Sequence, residues 1–174
     1  MAGDELFVCA ERAVDNALEW SRVSLSVSSP AFADGDRIPE QYGHDAANVN
    51  PPLSISGVPD DAVSLALVVD DPDARKPAGK IWDHWTVWNV PPSVEEIPEN
   101  WDASADGATE GTNDFDERGY GGPAPPDREH TYQFKLYALD TELDLPESAG
   151  REAVEAAVEG QVLDDALLEG TYAP

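Results

Sequence analysis

Between residues 6 and 18 the apolar positions are Leu6, Cys9, Ala10, Ala13, Val14, Ala17 and Leu18, the spacing of one face of an α-helix. At Val23 the period changes to two. Val23, Leu25 and Val27 alternate with Ser24, Ser26 and Ser28, which predicts a half-buried strand. Further strands are predicted at Leu53–Ser56, residues 64–70, residues 84–90 and His130–Leu139, separated by segments rich in Pro, Gly, Asp and Asn. Residues 65–69 are apolar on both faces and read as a central strand. The helical period returns over residues 147–168, where Ala153, Val154, Ala157, Val158, Val162 and Leu163 form the stripe of a second helix. Many short strands without regular alternation with helices, joined by segments that hold most of the 15 prolines, favour an antiparallel sandwich or barrel over a parallel sheet. The chain thus divides into a helical extension, residues 1–22, and one β-rich domain, residues 23–174. For the extension three roles stay open: cover for a sheet edge, part of a homodimer contact, or a loosely attached tail.

Composition first raises the question of whether the chain folds at all, because low hydrophobicity with high net charge marks disorder. Leu, Ile, Val and Phe supply 36 of 174 residues, about 21% and just above the ~20% below which chains tend to stay unfolded. Five Trp and five Tyr tip the balance towards a folded core. The formal net charge of −26, with only Lys76, Lys80 and Lys135 as lysines, excludes unaided nucleic-acid binding, since a phosphate backbone would be repelled. The carboxylates are spread along nearly every segment, unlike an acidic tail. Such a coat suits concentrated salt, where the Debye length falls to roughly 3 Å and self-repulsion is screened. An extreme halophile is the expected source. Cys9 stands alone, so no intramolecular disulfide forms; no signal peptide or membrane-length apolar run is evident, and the cytoplasm is the expected location.

Residues 110–129 hold four glycines and three prolines without periodicity, longer than structureless loops in compact domains usually run. The aromatic pair Phe115 and Tyr120 favours a rigid, packed loop. Two of the three histidines begin predicted strands, and period two would place His84 with Thr86 and Trp88, and His130 with Tyr132, Phe134 and Leu136. Asp71, at the end of the most buried strand, needs a partner, and an imidazole is the obvious one. Two His and one Asp make a conceivable metal triad, but no His-x-x-x-His or Glu-x-x-His spacing supports it. A hydrolase would need a nucleophile, and neither a Gly-x-Ser-x-Gly elbow nor a well-placed cysteine is present. Ordinary structural histidines and a small anion pocket, built from two His beside a Gly-Pro loop, remain about equal on the residues alone.

Asp71-Pro72-Asp73-Ala74, Trp82-Asp83-His84-Trp85-Thr86-Val87-Trp88-Asn89-Val90-Pro91, and Gly119-Tyr120-Gly121-Gly122-Pro123-Ala124-Pro125-Pro126 with His130-Thr131-Tyr132 add a further signal. Together they resemble the phosphatidylethanolamine-binding protein family, in its prokaryotic Raf-kinase-inhibitor-like branch. The resemblance runs from about Val23 to the C-terminus. It implies a two-sheet antiparallel β-sandwich with a C-terminal helix, and a pocket formed by Asp71, Trp82, His84, the backbone at Ala124 and Pro125, His130 and Tyr132. It also implies a cis peptide at Asp71-Pro72. Members bind phosphate-bearing head groups or simple anions, and some inhibit kinases or serine proteases by contact. Three positions depart from the family pattern: Arg75 replaces a second proline, Thr131 a common arginine, and Gln161 a frequent histidine of the last helix.

The sequence-based expectation is therefore an all-β dominated, non-enzymatic binding protein. His84 and His130 would donate to a small anion such as phosphate, Asp71 would orient an imidazole, and Trp82 and Tyr132 would wall the site. It expects no cofactor or metal, no stable membrane association and no nucleic acid. The alternative function is inhibition of a partner protease or kinase.

Overall fold

The computed structural model describes residues 24–174; the extension 1–22 and its helix lie outside the described residues. Eight strands form two antiparallel sheets: β1 (Ser26–Ser28), β2 (Leu53–Ser56), β3 (Ser64–Asp71), β4 (Trp82–Val90), β5 (Glu96–Ile97), β6 (Thr109–Glu110), β7 (His130–Leu139) and β8 (Val162–Tyr172). The smaller sheet runs β1-β2-β5 and the larger β6-β4-β3-β7-β8. Two short helices complete the set, α1 (Arg75–Ala78) and α2 (Arg151–Val158). None of the described helices is long and apolar enough to cross a membrane.

β3 sits at the centre of the larger sheet with all eight residues buried, as its doubly apolar run requires. Leu65, Leu67 and Val69 share one core with Leu25 and, from the smaller sheet, Val27, Leu53, Ile55 and Ile97. On the other face Ala66, Val68 and Trp88 pack under Val154 and Val158 of α2. Among the described residues the strands form two separate sheets and not one closed barrel.

The helix expected over residues 147–168 is corrected. Only Arg151–Val158 is helical; Gly160, at φ +76°, ends the segment, and residues 162–172 form edge strand β8, paired with β7 along its length. The last helix therefore precedes the final strand. Gln161 lies between the two, its carbonyl accepting from the Asp140 N–H at 3.0 Å. The face assigned to His84 is corrected as well. Val69 pairs with Trp85 but Asp70 with Asp83, so His84 is the extra residue of a β-bulge. The bulge turns His84 to the side of Tyr132, away from Thr86, whose hydroxyl bonds Asp83.

Candidate ligand-binding site

A cavity of about 270 Å³ opens where the C-terminal end of β3 meets the starts of β4 and β7, lined among others by Asp71, Trp82, His84, Phe115, Ala124 and His130. Five of the seven expected residues line it. Pro125 does not: it faces a separate cavity with Arg37 and Tyr172, and its neighbour Pro126 supplies the wall instead. Tyr132 lies beneath the site, 1% exposed, edge-on to His84 with centroids 5.1 Å apart.

Asp71 is aimed by its own turn. It is the N-cap of the 3-10 turn Pro72–Ala74, with Oδ1 accepting from the Asp73 N–H at 2.9 Å. No peptide bond among the described residues is cis, so the expected cis Asp71-Pro72 link is corrected; the cap, not an isomer, directs the carboxylate. Oδ2 then accepts from His130 Nδ1 at 2.6 Å. Burial raises the Asp71 pKa above the usual carboxylate value, against the lowering effect of the His130 bond.

His130 is gripped from both sides, because Nε2 also meets Asp127 Oδ1 at 2.7 Å. Burial by itself would lower its pKa, but hydrogen bonds to Asp71 and Asp127 outweigh that and raise it. With both carboxylates ionised, both ring nitrogens donate and the ring carries a positive charge. In this arrangement both ring nitrogens are engaged, so donation from His130 to a ligand requires one of the two carboxylates to leave.

His84 is the opposite case. A carbonyl can only accept, so the 2.8 Å contact to the Gly121 carbonyl places the proton on Nδ1 and leaves Nε2 as a lone pair. Burial pushes its pKa down to about 4, so the ring is neutral at pH 7.

The long loop holds this geometry. Asn113 is its hub, donating from Nδ2 to the Gly119 carbonyl and accepting at Oδ1 from the Phe115 and Glu117 N–H groups. Gly121 donates to the His84 carbonyl at 2.7 Å and Gly122 to Asn48 Oδ1 at 2.7 Å. Phe115 closes the cavity against Trp82 and His84 and stacks on His44 at 4.0 Å. Phe115 and Asp127, together with Ala74, Pro77, Ala78 and Pro126 of the cavity wall, are site residues that sequence reasoning missed. The aromatic pair of the loop was a usable signal for the first; an acid three residues before a strand-initial His was a weak one for the second.

A Cβ at Gly122 would press on the Tyr42 carbonyl and the Gly43-His44 backbone. Gly122→Ala is therefore expected to lose about 1–3 kcal/mol of stability, the range for overpacking, seen as a lower urea midpoint at unchanged slope.

A family model for phosphatidylethanolamine-binding protein matches residues 28–173. The chain belongs to the phosphatidylethanolamine-binding protein family. Among its relatives is a UPF0098 protein of Methanothermobacter thermautotrophicus, 48% identical over 151 residues, which cover 85% of this chain and 98% of that one. A UPF0098 protein of Pyrococcus horikoshii is 43% identical over 158 residues, covering 87% and 77%. In structure, the chain is similar to a phosphatidylethanolamine-binding protein homolog of Chlamydia trachomatis, with TM-score 0.79, 38% identity and coverage of 86% and 97%. It is equally similar to YbcL of E. coli, described as a member of the mammalian family, with TM-score 0.79, 31% identity and coverage of 86% and 98%.

Of the three departures, Arg75 and Thr131 adjoin the cavity without lining it, whereas Gln161 lies at the far end of β7, beside Asp140. Arg75 is exposed at the start of α1, next to the lining residue Ala74. Thr131 donates its backbone N–H to Asp73 Oδ2 at 2.9 Å, which ties the start of β7 to the turn after β3.

Proposed function

We propose that this phosphatidylethanolamine-binding protein family member is a non-enzymatic binding protein that takes up a small protonated oxyanion, phosphate or a phosphorylated head group, at the His84 cavity. One observation carries the reading: polar atoms at the site lack protein partners. Trp82 Nε1–H is buried in the cavity wall without an acceptor, and the Tyr132 hydroxyl, just beneath, has only the Ala124 backbone beside it. Of the His84 ring nitrogens, Nδ1 is the one hydrogen-bonded to a backbone carbonyl among the described residues. A buried unsatisfied donor costs about 1–3 kcal/mol, which a ligand oxygen would recover.

The chemistry does not favour catalysis. His84 is too weak a base at neutral pH, and both nitrogens of His130 are spent on carboxylates. Among the described residues no group of three His, Cys, Asp or Glu side chains is arranged to hold a metal.

Because His84 Nε2 is an acceptor, the ligand must bring a proton or donate one to the ring. Phosphate carries a P–OH near neutrality; sulfate does not. Inorganic phosphate is therefore expected to bind at least about tenfold more tightly than sulfate, an advantage of 1.4 kcal/mol or more. Inorganic phosphate keeps a P–OH as HPO4²⁻ throughout this range, but a phosphomonoester such as phosphorylethanolamine loses its only one through its second pKa of ~6, so its affinity should fall as pH rises. Calorimetric titration of phosphate, sulfate and phosphorylethanolamine in concentrated KCl from pH 5.5 to 8.5 checks this. Equal affinity for sulfate, or phosphorylethanolamine affinity that rises with pH, would rule out the protonated-oxyanion reading.

A further inference from the structure

Asp127 has no place in a simple anion pocket. Of the two carboxylates on His130, Asp71 is 4% exposed and held by its own turn, whereas the Asp127 side chain is 39% exposed. Asp127 directly follows Pro126 of the cavity wall. The guanidinium of its neighbour Arg128 does not hold it, turning to Asp73 at 3.6 Å and to the Glu129 carbonyl at 3.0 Å, so that local backbone N–H groups are its other partners. The only N–H that the imidazolium could share with an incoming ligand is therefore occupied by a carboxylate that can swing into water.

We infer that Asp127 is a tethered competitor: its carboxylate occupies the oxyanion position at His130 Nε2 and leaves when a phosphate-class anion enters. This rests on the oxyanion reading of the His84 cavity. A carboxylate three residues from the imidazole acts at an effective concentration of millimolar or more. It lowers the apparent affinity by the fraction of time the contact is open. The fully buried His130 ring is thus never left without a second partner, and a ligand gains access only by outbidding an internal acid. Phosphate, with several oxygens and up to two charges, can reach His130 and the unpartnered groups at once. A simple monocarboxylate gains little over Asp127 itself and is selected against.

The test is titration of inorganic phosphate, in concentrated KCl at pH 6.5, into the wild-type chain, Asp127→Asn, Asp127→Ala and His84→Ala, with circular dichroism to show that each is folded. Both Asp127 variants are expected to bind phosphate about tenfold more tightly than wild type, as removal of a contact closed about nine-tenths of the time requires. In the wild type, phosphate should also shift the His130 Nε2–H proton resonance. Unchanged or weakened affinity in both variants overturns the inference. If at the same time wild type binds phosphate and His84→Ala does not, the cavity reading survives and Asp127 is only a brace for the ring. If no form binds phosphate, both readings fall together.

Discussion

Asp71→Ala is expected to destabilise the protein by about 3–5 kcal/mol, the range for removing one partner from a buried ion pair. The His130 side chain is fully buried, and the 2.6 Å contact to Asp71 is its one buried counter-charge. Without it the imidazolium keeps only the exposed Asp127. Urea unfolding in concentrated KCl measures the loss, and a second substitution separates charge from packing. Asp71→Ala with His130→Leu should recover part of the loss, because the stranded charge is gone; a double-mutant cycle gives the coupling. The pH dependence has a definite sign. His130 is raised above its ordinary 6.5, so its contribution is complete below that value and is lost as pH climbs through the folded pKa. Asp71 is raised above 3.8, so it also binds its proton more tightly when folded, and its slope runs the same way. Asp71→Ala should therefore flatten the decline of stability towards alkaline pH. A loss below ~1 kcal/mol would mean that the pair is not the buried ion pair described.

The second large effect concerns salt. With a net charge of −26 and most acids scattered over the surface, moving the protein from molar KCl to about 0.1 M lengthens the Debye length from roughly 3 Å to roughly 10 Å. Neighbouring carboxylates then repel one another without screening. A drop in melting temperature of roughly 10 °C or more is expected, which for a domain of this size corresponds to about 3 kcal/mol. Thermal circular dichroism at several KCl concentrations checks it. Lowering the pH towards 5 in dilute salt should return part of the lost stability by protonating surface acids. A melting temperature that ignores KCl would remove the halophile reading of the acidic coat.

These two expectations draw on what was legible in the chain and on what was not. β3 declared itself because a run buried on both faces can only sit inside a sheet, and the Asp that ends it called for a partner on chemical grounds. The direction of His84 was not legible. A bulge adds one residue to a strand, and strict alternation then assigns the wrong face to everything on one side of it; only the pairing of Val69 with Trp85 and Asp70 with Asp83 reveals it. β8 was misread for a different reason. As an edge strand, with Val162, Leu163 and Leu167 partly exposed and the acids Asp164 and Asp165 between them, it lacks clean alternation. Its apolar residues happen to continue the stripe of α2 across Gly160. The double grip on His130 was half legible. Asp71 followed from burial, but Asp127 depends on how the proline-walled loop closes, which only tertiary structure fixes.

The most direct test of the account is a ¹⁵N imidazole NMR titration with inorganic phosphate in concentrated KCl near pH 6.5. Before ligand, His84 should appear as a neutral Nδ1–H ring and His130 as a doubly protonated one. Phosphate should then move the His84 Nε2 resonance towards the protonated range in a saturable way, and the same titration of His84→Ala should show no saturable change at His130. If the His84 resonances stay fixed as phosphate is added, the cavity is not an oxyanion site and the central claim fails.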